Sequence, residues 1–376
     1  MSSYFNLQGA AYGNDILVAV AKMGNIIYST DFGANWSQGN TGTNKHFYGV
    51  AFGENEFVAV GNSGKIFRST DGTEWTMIDN PNNGGNRLNN IYFSDVLVSF
   101  FAVGNTGKIL TSMDGTSWED TNFSGQNLNG LTIKYHSGLL IVAVGDGGSI
   151  YTSTNALNWD SQVSGTNLDL NDVSYANNTF VAVGQNGTIL TSTDGQTWNI
   201  QDSGVTYHLS GITSGNSTFV AVSNNNGQII SSTDGETWTE HLNLYYSGSY
   251  TGLQDVIYYE YENTFLAVGS SKIATATVEN STTVKSSMLS LYNLDDDTDV
   301  TVSLSSSDEG EGTVTPATLT FTEDNWETAQ AVTVTGIDDD DTDGNRAYKV
   351  SLSAANVLAS VPEVTTFAGS GSYGYQ

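Results

Sequence analysis

Leu170 to Asp202 reads LNDVSYA, NN, TFVAVG, QNG, TILTSTD, GQ, TWNIQD: four short runs rich in Val, Ile, Thr and aromatics, parted by Asn and Gly turns. That alternation of strand formers and turn formers is the signature of successive antiparallel hairpins. One such four-stranded sheet cannot cover both of its faces alone. It needs neighbours of its own kind on either side.

The neighbours are in the chain. The triplet Val181-Ala182-Val183 recurs as Val18-Ala19-Val20, Val58-Ala59-Val60, Phe101-Ala102-Val103, Val142-Ala143-Val144, Val220-Ala221-Val222 and Leu266-Ala267-Val268. A tryptophan follows in six copies, at Trp36, Trp75, Trp118, Trp159, Trp198 and Trp238. The spacing of about 40 residues is that of propeller blades, and sheets stacked radially leave only short protected edges. No segment carries apolar residues at helical spacing, which excludes a helical solenoid. The reading is all-β: a seven-bladed β-propeller of four-stranded blades over residues 1–280, followed by a C-terminal β-sandwich over 281–376. Copy seven has Gln254–Tyr261, Thr264–Gly269 and Lys272–Val278 but no tryptophan strand, so residues 2–6 are expected to supply its outer strand and close the ring.

Ser29-Thr30-Asp31-Phe32-Gly33-Ala34-Asn35-Trp36 resembles the Asp-box of sialidase-type (BNR) propellers, and Ser69 to Trp75, Ser112 to Trp118, Ser192 to Trp198 and Ser232 to Trp238 resemble it with one residue fewer. In the copy from Ser153 to Trp159, Asn155 and Ala156 replace Asp and Gly. Six copies cannot all be one active site. The residues have a structural reading: Asp caps its turn, Gly takes positive φ, and Trp packs between blades.

Enzyme chemistry finds little purchase. The resemblance implies a three-arginine clamp on a carboxylate for sialidase activity, but the propeller region holds only Arg68 and Arg87. His46, His136, His208 and His241 show no metal-site spacing. By repeat register His46, His208 and His241 fall in loops between copies. Gly61-Asn62-Ser63-Gly64 and Gly145-Asp146-Gly147-Gly148 are hairpin turns, since no helix follows them. The chain has no cysteine, which excludes disulfides and thiolate chemistry. With 40 acidic against 11 basic residues, a net charge of −29 repels nucleic acid and anionic membranes. No apolar run is long enough to span a bilayer.

Past Ser281 the acidity deepens, with 16 acidic against 3 basic residues. Candidate strands are Asp299–Ser307, Ala317–Thr322, Ala331–Gly336 and Ala347–Ser353. Thr313 to Thr322, Asn325-Trp326, Gln330 to Gly336 and Asp338 to Asp343 are similar to a Calx-beta module of surface proteins. Carboxylates crowd at Asp295, Asp297 and Asp299 and at Asp338, Asp340, Asp341 and Asp343, where a Ca²⁺ ion among hard oxygen ligands would relieve their repulsion. The function expected is a non-enzymatic extracellular or cell-surface adhesion protein. Its propeller loops would present a glycan- or protein-binding face built from Tyr245, Tyr246, Tyr250, His208 and His241. The alternatives are a glycan-acting hydrolase or an assembly scaffold of the photosystem II assembly-factor type, whose resemblance implies binding through basic patches. The overall excess of acid argues against such a patch here.

Overall fold

The computed structural model describes residues 5–78, 80, 85–135, 138–225, 227–243, 252–259, 264–270, 272–277, 285–289, 300–306, 312–322, 330–336 and 350–355. Its contacts divide the chain into two units, one of residues 1–240 with 248–277 and the other of 241–247 with 278–376.

The first unit holds six four-stranded antiparallel sheets and a seventh of three strands among the described residues. The innermost strands are Leu7–Gly13, Phe47–Gly53, Leu88–Ser94, Leu128–Lys134, Leu170–Ala176, Leu209–Gly215 and Leu253–Tyr259. Each lies against the next, and the first lies against the seventh, so the sheets form a closed ring. The second strand of every blade carries the apolar triplet and is covered on both faces by neighbouring blades. That explains why it reads as an unbroken apolar run. Phe57, Phe100, Phe180 and Phe219 head these strands and are fully buried. Burial declines outward until the short fourth strands, such as Asn199–Gln201, are mostly exposed.

Ring closure differs from the sequence expectation in what can be described. Residues 2–4 lie outside the described residues. Asn6 forms an isolated antiparallel bridge with Ser270, between the second and third strands of blade seven. The blades themselves meet side by side. Leu7, Ala10, Leu17 and Ala19 pack with Tyr259, Leu266 and Val268 in one apolar cluster, and the Ala10 N–H donates to Asp255 Oδ2 at 3.0 Å.

Two turn types set the faces of the ring. First-to-second-strand turns at Asn14-Asp15, Glu54-Asn55, Asn177-Asn178 and Asn216-Ser217 have positive φ at both residues, the tight hairpin geometry matched to strand twist. Second-to-third-strand turns, such as Lys22–Gly24 and Asn62–Gly64, end in a glycine with positive φ. At Gly24 a side chain would also strike the next linker, its Cβ coming within 1.9 Å of the Thr43 carbonyl oxygen. The first residue of each such turn, in all seven blades, donates its N–H to the carbonyl preceding that blade's innermost strand, as Asn62 does to His46 at 2.9 Å. These turns and the linkers between blades therefore share one face, hereafter the linker face.

In the second unit, strands Lys285–Leu289, Gln330–Gly336 and Gly312–Thr315 form one antiparallel sheet. Thr318–Phe321, Val300–Ser306 and Val350–Ala355 form another. Leu304, Leu319 and Val332 are buried. Lys285–Leu289 and Gly312–Thr315 were not anticipated from the alternation pattern. His241 also departs from expectation: it lies within strand Thr239–Asn243, because the outer strand of blade six runs longer than its two- and three-residue counterparts.

Candidate functional site

Every innermost strand is irregular at its second residue. The register shifts between the first and third residues in all seven blades, leaving Gln8, Tyr48, Asn89, Asn129, Asn171, Ser210 and Gln254 as bulge residues. Four of these side chains reach across to the next blade. Asn89 Nδ2 donates to the Leu128 carbonyl at 2.7 Å and Asn129 Nδ2 to that of Leu170 at 3.0 Å. Asn171 Nδ2 donates to Leu209 at 2.6 Å, and Ser210 Oγ to Leu253 at 2.7 Å. Each thus satisfies a buried backbone acceptor at the inner ring. In blade two the amide is replaced by Tyr48, whose ring lies 4.7 Å from the Arg87 guanidinium carbon of blade three.

The third residue of the innermost strand is glycine in blades one, two, four and six: Gly9, Gly49, Gly130 and Gly211. Blade three has Asn90, and blades five and seven have Asp172 and Asp255. Asp172 Oδ1 accepts from its neighbour Val173 N–H at 2.9 Å, and Oδ2 from Ile212 N–H of the next blade at 3.0 Å. Asp255 repeats this with Val256 N–H at 2.8 Å and Ala10 N–H at 3.0 Å. Both residues are half-buried as a whole. Burial pushes Asp172 up to about 8, with Asp255 adding a like charge that the N–H bonds only partly offset. Burial raises Asp255 to about 6.

On the linker face the middle residue of the second turn donates its N–H to the side chain before the next blade's innermost strand. Met23 N–H reaches His46 Nδ1 at 2.7 Å, Thr106 N–H reaches Asn127 Oδ1 at 2.9 Å, and Gly147 N–H reaches Asp169 Oδ1 at 2.7 Å. His46 therefore performs the same turn-holding task as Asn127 and Asp169. His208 occupies that position in blade six; burial lowers its pKa, and Asp169 opposes the shift.

Charge on this face is divided. Lys22, Lys45, Lys65, Arg87 and Lys108 belong to the linkers and turns of blades one to three, where Lys108 is ion-paired with Asp120 at 2.7 Å. Asp146, Asp169 and Asp202 occupy the corresponding stretch of blades four to six. The repeat register thus places five cations in the turns and linkers of blades one to three, beside Asp120, in a chain whose excess of acid argued against a basic patch. A shallow depression lined by Met23–Asn25 and 38–44 adjoins it.

The outer hairpins are structural. Asp71 Oδ1 accepts the N–H groups of Thr73 at 2.9 Å and Glu74 at 3.1 Å, Ser69 Oγ accepts the Gly72 N–H, and Trp75 Nε1 donates to the Gly72 carbonyl at 3.0 Å. The N–H groups of Ser117, Thr197 and Thr237 are the largest influences holding Asp114, Asp194 and Asp234 below the usual carboxylate range. In the variant copy Asn155 Oδ1 accepts the same two bonds, and Ala156 takes φ +61° where other copies have glycine.

Of the residues expected to bind ligand, Tyr245, Tyr246 and Tyr250 lie outside the described residues, as do Asp295, Asp297, Asp299, Asp338, Asp340, Asp341 and Asp343. His208 lies on the linker face and His241 in an outer strand. Arg68 forms a bidentate pair with Glu56. Sequence reasoning missed Tyr48, Asp172 and Asp255. The signal was present as departures from the repeat at one position of the innermost strand.

The sequence matches no family model and no curated protein. Solved structures do match. YCF48 bound to D1 peptide superposes with a TM-score of 0.61 at 16% identity, over 74% of this chain and 93% of that one. YCF48 from Cyanidioschyzon merolae gives 0.58 at 15%, over 73% and 96%. The WD40 β-propeller domain of Doa1 gives 0.58 at 11%, over 73% and 93%. The fold is a seven-bladed β-propeller. At these identities the likeness concerns the propeller's architecture alone.

Proposed function

We propose that the propeller is a non-enzymatic scaffold that binds a partner polypeptide on its linker face, in the cationic sector of blades one to three. One observation carries this reading. Of the eight lysines and arginines in residues 1–280, namely Lys22, Lys45, Lys65, Arg68, Arg87, Lys108, Lys134 and Lys272, five stand in this sector of a chain whose net charge is −29. At physiological salt, fields fade over about 8 Å, so the patch acts locally despite the acid elsewhere. Tyr48 under Arg87 adds an aromatic anchor of the kind that dominates protein interfaces. That YCF48 is seen with a bound peptide supports the reading by analogy of architecture only.

The test is selection from a displayed random-peptide library on the purified chain, with binding sites mapped by hydrogen exchange and by a Lys45→Gln, Arg87→Gln variant. Peptides that protect the linker face and lose about tenfold in affinity on the variant, the worth of one charge-assisted contact, support it. Peptides that protect the outer hairpins and ignore the variant refute it.

A second reading keeps the chain at a cell surface, with a glycan on the 245–250 loop and the C-terminal segment as a calcium-loaded, Calx-beta-like sandwich spacer. The 16 acidic residues against 3 basic after residue 280 favour it. Glycan-array binding lost on replacing Tyr245, Tyr246 and Tyr250 with serine would select this reading over the first.

A further inference from the structure

The innermost strands offer seven equivalent third positions, and four of them are glycine for a steric reason. At Gly130 an added Cβ would come within 2.6 Å of the Asp172 Cα and Oδ1, and at Gly211 within 3.1 Å of the Asp255 Cα. A Cβ added at these glycines thus meets the backbone of the following blade, as Asp172 and Asp255 bond forward to the blade after their own. Blades five and seven place carboxyls there, with only Gly211 of blade six between them. Asp172 ties blade five to blade six, and Asp255 ties blade seven to blade one, where the ring closes. Asn90 of blade three shows that an uncharged residue fits the same site: its Oδ1 accepts the Ile91 N–H at 2.7 Å. Burying two carboxyls where an amide fits is costly when both are ionised.

We propose that Asp172 and Asp255 form a proton-operated latch in the inner ring, closed when the pair holds a proton and loosened when both carboxyls are ionised and repel across Gly211. Few other charges face the pair. The neighbouring strands Leu7–Gly13, Leu209–Gly215, Thr179–Gly184 and Thr264–Gly269 contain none, and Leu128–Lys134 has only Lys134 at its far end, over the Tyr175 and Phe180 rings. Asp169 and His208 precede the innermost strands of blades five and six, and Asp169 is engaged by Gly147 N–H and Gln185 Nε2. Among the described residues of these strands, no cation is placed to neutralise the pair.

The sign follows from linkage. Both folded pKa values, about 8 and about 6, lie above the unfolded aspartate value. The folded state holds protons that the unfolded chain has released. Stability from this source is full below about pH 4 and is lost as pH rises through 6 to 8. His208 acts oppositely, since its lowered pKa makes the folded state gain as pH rises toward neutrality. Comparison with variants removes that contribution.

Thermal unfolding of the full chain between pH 5 and 8.5 tests the latch. The melting temperature of the wild type should fall by about 5–10 °C across this range. The fall should shrink in Asp172→Asn and largely disappear in Asp172→Asn, Asp255→Asn. An unchanged slope in the double variant overturns the proposal. Should the variants fail to fold, the wild type still decides it. Infrared difference spectra between pH 5 and 9 should show a protonated carboxyl band that titrates well above the usual carboxylate range, and no such band above pH 5.5 refutes the latch.

Discussion

Replacing Asn171 with alanine removes one amide that spans two blades, and the cost can be worked from its surroundings. Asn171 Nδ2 lies 2.6 Å from the Leu209 carbonyl oxygen, and Leu209 is 1% exposed. Leu209 stands at the register shift of its strand, where the Asn171 amide is the side-chain donor to its carbonyl. A buried acceptor left without its donor costs about 1–3 kcal/mol. Asn171 is half-buried, so water can reach the site and the lower half of that range is expected. For a chain of this size each kcal/mol shifts the melting temperature by about 2–4 °C. Asn171→Ala should therefore melt about 2–6 °C below wild type. Asn171→Asp should be worse, because a carboxylate then faces a carbonyl with no proton between them. Asn89→Ala acts two blades earlier, at the junction of blades three and four, and its effect should add to that of Asn171→Ala within about 0.5 kcal/mol. Urea unfolding of the wild type, the three single variants and the double alanine variant provides the free energies. The reasoning fails if Asn171→Ala melts with the wild type, or if Asn171→Asp is the more stable of the two.

Ala156→Gly should stabilise blade four by about 0.5–1 kcal/mol, because Ala156 holds a left-handed φ that glycine adopts without strain; denaturant titration reads this directly. The converse, Gly72→Ala, should destabilise blade two by at least as much, since a Cβ there meets Val18 Cγ2 at 3.0 Å. If Asp338 to Asp343 hold Ca²⁺, melting in EDTA against millimolar Ca²⁺ should move a C-terminal transition by several degrees and leave the propeller transition in place. Sialosides should not be hydrolysed, since the propeller region holds only Arg87 and Arg68, the latter taken up by Glu56, too few for a three-arginine clamp; turnover of a fluorogenic sialoside that vanishes on Arg87→Gln would contradict this.

The blades were legible because each is built from local hairpins whose signals sit within about 33 residues of sequence, from Leu170 to Asp202 for the clearest copy. The outer hairpin was equally legible, since Ser69, Asp71, Gly72 and Trp75 interact within six residues of one another. What joins one blade to the next was not. Asn89 meets Leu128, Asn129 meets Leu170 and Asn171 meets Leu209 across some 40 residues. In one-letter terms each is only an asparagine after a strand-leading leucine. The cationic sector was hidden for the same reason. Lys22, Lys45, Lys65 and Arg87 are isolated charges in a chain dominated by acid until the ring stacks their turns on one face.

The joint between blades two and three is unlike its neighbours. Its described contacts include an apolar cluster, Ala51, Val58, Val60 and Ile66 against Leu88, Ile91, Phe100, Ala102, Leu110 and Trp118, the Tyr48–Arg87 contact and the attraction of Asp114 for Arg68. The joints from blade three round to blade seven carry polar bonds as well. Apolar association weakens on cooling, while hydrogen bonds do not share that heat-capacity signature. A ring assembled from unlike joints has no single weakest point at all temperatures. Chilled toward cold denaturation, joints should loosen in proportion to their apolar share, and a partner seated across Tyr48 and Arg87 would act as a cold clasp between blades two and three.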